Sequence, residues 1–232
     1  FYPYEDLEVN CKGQINVLEA RKNANPKSKY ICFGTRAQFG KVNQKYLPIR
    51  EDYCQRPLSL YGIHKQTAEN YCLLYRRAFD IKSIVVRMPQ VYGPSLTKEE
   101  TNSLIDKFIR KAMKNEVFFV NGYGGDIKDA IYIDDLIDLL IKILNSNREE
   151  GIFNAGTGNP MTLINISKKI IKVCKKGRFK LREFPKEKIQ FELGSFYFDI
   201  SKTSKEFKWM PEVSIEEGIK RTVEFYKQGA KK

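Results

Sequence analysis

Tyr61 and Lys65 stand four residues apart at the start of a segment with helical apolar periodicity. A helix places i and i+4 on one face, so the phenol and the ammonium point the same way. A phenol with a reference pKa near ~10 is a poor base at neutral pH. A cation beside it favours the phenolate and makes it a usable proton acceptor. Alone, Tyr-x-x-x-Lys is a common surface pair. Its setting is less common: Pro57-Leu58-Ser59-Leu60-Tyr61-Gly62-Ile63-His64-Lys65-Gln66-Thr67-Ala68-Glu69. Upstream stands Cys32-Phe33-Gly34-Thr35-Arg36-Ala37-Gln38-Phe39-Gly40, and downstream Val85-Val86-Arg87-Met88-Pro89-Gln90-Val91-Tyr92-Gly93-Pro94. Thr35 closes a short apolar run, and the ends of parallel strands are where open α/β sheets bind ligands. His64, the only histidine, lies three residues after Tyr61 and reads as a packed or half-exposed side chain.

The elements that must position these residues follow from periodicity. Residues 4–24 read as a helix preceded by Pro3 and stopped by Asn25-Pro26. Tyr30-Ile31-Cys32-Phe33 is a buried strand ending at Gly34-Thr35. Residues 41–56 form a polar loop carrying Asp52, residues 60–79 a long helix, and residues 83–87 the next strand. Strands alternating with helices predict a doubly wound α/β sheet. Beyond Pro94, helices are expected over 104–113, from Asp134 to Leu144, over 163–174 and over 215–227. Extended segments are expected at 117–120, 130–133 and 152–155. Gly122, Gly124 and Gly125 read as a turn, as do Gly156 and Gly158, because no helix opens behind either group.

The three blocks, in this order and spacing, resemble the extended short-chain dehydrogenase/reductase family, and within it the nucleotide-sugar epimerase/dehydratase branch. The resemblance runs from Asp6-Leu7-Glu8-Val9-Asn10 to Trp209-Met210-Pro211 and Glu217-Gly218-Ile219. It implies an α/β fold: an incomplete doubly wound parallel Rossmann-type sheet with a smaller mixed α/β substrate-binding lobe. Residues 1–94 would be the C-terminal part of a Rossmann-type NAD-binding domain. Residues 95–232 would be mainly the substrate lobe, with segments around 117–155 returning to the sheet.

The family begins with a glycine-rich dinucleotide fingerprint, whose amides receive a pyrophosphate at a helix N-terminus. No such fingerprint occurs in these 232 residues. The expectation is therefore an N-terminally incomplete copy of the enzyme, with strands exposed that should be central. The choice between NAD and NADP would lie in the absent segment.

By resemblance, Tyr61 is the general base, and Lys65 lowers its pKa and binds the nicotinamide ribose. Thr35 matches the catalytic Ser/Thr. Asn10 and Met88 join Tyr61 and Lys65 at the cofactor. Arg36, Gln90 and Lys128 join Thr35 at the substrate. Gln90 stands where the family has an asparagine, and Lys128 replaces an arginine, supplying charge without the bidentate fork. Asp199-Ile200-Ser201-Lys202 and Trp209 read as a helix start and a packed ring. Family dehydratases carry Asp-Glu after the catalytic Thr, supplying acid and base for water loss. Here Arg36-Ala37 follows, and neither residue can shuttle that proton. The resemblance therefore points to epimerisation of a nucleotide-diphosphate sugar through a transient keto-sugar, as in a UDP-glucose 4-epimerase or one acting at carbon 2. It also implies a cytoplasmic homodimer for the parent enzyme.

Composition sets the rivals. With 42% hydrophobic and 30% charged residues, this is an ordinary globular composition, and no apolar run is long enough to span a bilayer. The five scattered cysteines and single histidine give no metal-ligand spacing. The net charge of +13 raises a basic nucleic-acid-binding module as a remote alternative. Yet the lysines are dispersed, with patches at Lys168-Lys169, Lys172, Lys175-Lys176 and Lys231-Lys232. Solvated helix faces, or attraction of an anionic sugar nucleotide, account for them better. An inactive fragment or pseudoenzyme is a nearer rival, since the cofactor fingerprint is missing. A nucleotide-sugar 4,6-dehydratase is another, within the same branch of the family.

Overall fold

Ile84-Val85-Val86 is apolar at every position because both of its faces are covered. In the computed structural model, which describes residues 2–95 and 103–229, this run is the centre of a parallel sheet. The Lys231-Lys232 patch lies outside the described residues. The chain opens with α1 (Pro3–Leu7), a π-helical turn (Glu8–Lys12) and α2 (Gly13–Ala24). Pro3 takes the first helical turn, where its missing N–H costs nothing. Strand β1 (Ile31–Thr35) follows, then a 3-10 turn (Arg36–Phe39), the loop to Ser59, α3 (Leu60–Phe79) and β2 (Ile84–Met88). Next come β3 (Gln90–Tyr92), α4 (Leu104–Met113), β4 (Val117–Asn121), β5 (Ile127–Lys128), β6 (Ala130–Tyr132) and α5 (Ile133–Asn145). Strands β7 (Gly151–Asn154) and β8 (Met161–Thr162), α6 (Leu163–Cys174), β9 (Arg178–Arg182), α7 (Lys186–Ile189), α8 (Ser201–Phe207) and α9 (Ile215–Gly229) complete the order.

The main sheet has the order β1-β2-β7, all parallel, with Thr35 in register with Met88. Period-2 alternation sends Ile84 and Val86 to one face, where Leu136, Leu139, Phe153 and Trp209 pack. Val85 points to the other, against Cys32 and Cys72 of α3. Helices therefore cover both faces, as a doubly wound sheet requires. The outer edge of β1 has no partner strand among the described residues, and Phe33 on it is 41% exposed. A second core gathers α4, α6 and α9 around Phe118 and Ile109.

Most elements match the sequence reading, with specific corrections. The residues 4–24 helix contains a π turn that periodicity does not reveal. Helix α5 begins at Ile133, one residue before Asp134. Of the 117–155 stretch, β7 joins the main sheet, whereas β4 pairs with β9 in the second layer. Strands β3, β5, β8 and β9 had no sequence signal strong enough to be read. Each is short, or, in β9, mostly exposed and basic.

What places α3 on the sheet is a buried polar network. Glu69 is 3% exposed and accepts from Arg87 Nε at 3.0 Å, Arg87 Nη2 at 2.5 Å, Gln38 Nε2 at 2.9 Å and Gln55 Nε2 at 2.9 Å. Gln38 Oε1 in turn accepts from the Thr35 amide at 2.6 Å. Removing one partner of a buried ion pair strands the other, at a cost of roughly 3–5 kcal/mol. Glu69→Ala is therefore expected to lose that much stability, because Arg87 stays behind, and urea unfolding measures it. A loss below about 1 kcal/mol, the scale of an exposed pair, would contradict the account.

Candidate active site

Ser59 caps α3, its Oγ accepting from the Gly62 amide at 3.1 Å. Gly62 is buried against the 3-10 turn after Thr35. A Cβ there would lie 2.5 Å from the Ala37 carbonyl oxygen. Only glycine permits this approach, and it brings the first turn of α3 onto the end of β1. The Tyr61 hydroxyl thereby comes within reach of the Thr35 side chain, which favours the ionised phenol. Thr35 Oγ1 also accepts from the Ala37 amide at 3.3 Å. Sequence reasoning placed Tyr61 and Thr35 at one site, and the structure brings them into contact.

The electrostatics depart from expectation. Burial pushes the Tyr61 phenol above its ordinary value, Asp6 adds to this, and the Thr35 hydrogen bond opposes it. Lys65 is not among the groups that act on Tyr61. Its charge bears on Cys32, a thiol held below its usual value first by a hydrogen bond with Cys72 and also by Lys65.

One cavity borders Tyr61, and a second is lined by Arg36, the residue after Thr35. The first, of about 440 Å³, is bounded by Tyr61, Asn10, Asp6, Ser59 and Pro3. Asn10 sits in the π turn and donates to Asp6 Oδ1 at 2.7 Å. His64, 9% exposed, is the packed side chain expected, but it also pairs through Nδ1 with Asp6 Oδ2 at 2.6 Å. Met88 adjoins Thr35 across the sheet. The other cavity, of about 450 Å³, gathers Arg36, Gln90 and Lys128 with Phe119, Phe184 and Glu192. Three of the four residues expected at the substrate are therefore brought together, while Thr35 does not line this cavity. Lys128 is buried and already engaged: its Nζ lies 3.2 Å from Glu192 Oε1 and 3.1 Å from the Gly194 carbonyl. Asp199, just ahead of the α8 N-cap Ile200, accepts from the Ser201 amide at 2.8 Å, and the Trp209 indole donates to the Asp135 carbonyl at 3.1 Å, so both are structural as read.

Residues 2–156 match the NAD dependent epimerase/dehydratase family. The chain belongs to that family. It is 32% identical over 227 residues to a candidate UDP-glucose 4-epimerase of Methanocaldococcus jannaschii, covering 97% of this chain and 71% of that one. It is 30% identical over 228 residues to a UDP-glucuronate 4-epimerase of Thermodesulfobacterium geofontis, covering 97% and 67%. The fold superposes on UDP-glucose 4-epimerase from Thermotoga maritima, solved with UDP-glucose, with a TM-score of 0.87 at 26% identity. That match covers 98% of this chain and 72% of the other.

Within this epimerase/dehydratase chain, the residues that sequence reasoning missed are Glu69, Gln38, Arg87, Asp6 and Glu192. Two had a legible signal. Arg87 is a charge inside an apolar strand and must have a partner. Glu69 continues the Tyr61–Lys65 stripe by one more step of four. Because the Thr35 bond lowers the Tyr61 phenol, Thr35→Ala is expected to move its ionisation to still higher pH. Phenolate absorbance, compared with Tyr61→Phe to isolate this residue, measures the shift; an unchanged or earlier titration would contradict the contact.

Proposed function

We propose that this chain acts in the epimerisation of a uridine-diphosphate sugar at carbon 4, with NAD as cofactor, through a transient keto-sugar. The observation that carries this reading is the pairing of Tyr61 with Thr35, one cavity at Tyr61 and another at Arg36, with Arg36-Ala37 following Thr35. Residues 1–94 face the cofactor in this reading, and 95–232 mainly the sugar nucleotide. NAD, when bound, accepts and returns the hydride at the reacting carbon. The phenol, the Asn10 amide and the Asp6 carboxylate bordering one cavity are a donor and acceptor set that fits a ribose. No described glycine-rich turn beside that cavity supplies a pyrophosphate cradle.

Thr35 holds the reacting hydroxyl oxygen, and Tyr61 takes its proton and later returns it. The second cavity then fixes the sugar nucleotide, with Gln90 and Lys128 toward its diphosphate.

Epimerisation is favoured over dehydration because expelling a hydroxyl needs a positioned proton donor. The carboxylates nearest in sequence are occupied or remote. Glu51 Oε1 accepts from the Asn154 amide at 3.0 Å, and the Asp52 side chain is 79% exposed beside Arg50. Asp6 is held by His64 and Asn10. Apolar side chains exposed on α2 and α3, among them Val17, Leu73 and Leu74, support a homodimer in the reading, and we place the enzyme in the cytoplasm.

With NAD supplied, the protein is expected to convert a UDP-hexose to an isomer of equal mass, and Tyr61→Phe to slow this by ~100-fold or more with little change in sugar-nucleotide affinity. Mass spectrometry and calorimetry read the two effects. A product lighter by one water, or full turnover in the variant, would overturn the assignment.

A further inference from the structure

Arg36 carries five N–H donors into the substrate-side cavity and makes no hydrogen bond or ion pair to any other described residue. It is half-buried, so its donors are partly withdrawn from water as well. Such a group is costly unless an acceptor arrives. Three carboxylates lie in its field, Glu192, Asp129 and Asp126, but none contacts it. Glu192 Oε1 is taken by Lys128 at 3.2 Å and the Gly194 amide at 3.0 Å. Asp129 accepts from the Thr157 amide and hydroxyl, both at 2.9 Å, and from the Phe198 amide at 3.2 Å. Asp126 leans toward Lys128 at 3.9 Å. Of the two cations lining the cavity, Lys128 is spoken for and Arg36 is available.

Position narrows what Arg36 can meet. It directly follows Thr35, about 3.8 Å away along the chain. Thr35 and Tyr61 hold the oxygen of the reacting carbon, so Arg36 stands at the sugar end of the ligand. The neighbouring carbon of a hexose ring bears the exocyclic carbon 6. A carboxylate there would meet the guanidinium as a two-bond fork, a geometry that a primary alcohol cannot match. Resting on the nucleotide-sugar reading above, we propose that Arg36 selects sugar nucleotides whose sugar carries a carboxylate at carbon 6, a hexuronate.

The test is calorimetry of the full chain with UDP-glucuronate, UDP-glucose and UDP, for the wild type, Arg36→Ala and Arg36→Lys, with far-UV circular dichroism confirming that each is folded. A charge-assisted bidentate contact corresponds to roughly ten- to a hundredfold tighter binding of UDP-glucuronate than of UDP-glucose. Arg36→Ala should erase that difference, and Arg36→Lys should keep part of it, retaining the charge without the fork. Equal wild-type affinity for the two sugars would overturn the inference. So would an Arg36→Ala variant that weakens all three ligands by one factor, which would put the guanidinium on the diphosphate. If the wild type binds no UDP at all, the nucleotide-sugar reading falls, and the hexuronate inference with it.

Discussion

The buried carboxylate of Glu69 is the point on which the arrangement turns. It lies on the same stripe of α3 as Tyr61 and Lys65, and it gathers hydrogen bonds from β2 through Arg87, from the turn after β1 through Gln38 and from the loop through Gln55. A charge in this setting is tolerable only because it is paired and fully hydrogen-bonded. Since Gln38 also accepts from the Thr35 amide, one side chain ties together the helix carrying Tyr61 and the strand end carrying Thr35. The Arg87 guanidinium extends the network to the Glu51 carbonyl at 2.8 Å, and Glu51 reaches β7 through Asn154. All three strands of the main sheet therefore register against the same carboxylate.

The two cavities follow from that register. With α3 clamped and Gly62 pressed on the Ala37 carbonyl, Tyr61 emerges at the first cavity, opposite Asn10 of the π turn. The π turn places Asn10 on the first cavity, beside Asp6 of α1. Inserted turns of this kind occur often at functional sites, where they redirect side chains that a regular helix would point elsewhere. At the second cavity, β3 pairs with β6 and brings Gln90 beside Asp129, which sets Arg36, Gln90 and Lys128 around one volume.

Much of this was legible in the residues. The strand runs and the boundaries of α3, α4 and α6 follow from periodicity and capping, and the Tyr61–Thr35 partnership from the resemblance of the matched blocks. Three things were not. Whether Lys65 acts on Tyr61 depends on side-chain direction, which spacing of four leaves open. The strand β9, with the sequence Arg178-Phe179-Lys180-Leu181-Arg182, alternates but is mostly exposed, so only its pairing with β4 identifies it. The engagement of Lys128 by Glu192 joins residues 64 apart, a separation that carries no local signature.

The central claim is that Tyr61, with Thr35 beside it and both held by the Glu69 network, exchanges a proton with the hydroxyl of a carbon whose hydrogen leaves and returns as hydride. The most direct measurement uses UDP-glucose carrying deuterium at carbon 4, incubated with the protein and unlabelled NAD, and follows the product by NMR and mass spectrometry. The account predicts UDP-galactose of unchanged mass with the deuterium still on carbon 4 and a slowed turnover relative to unlabelled substrate. Loss of the label to solvent, or a product lacking one water, would contradict it.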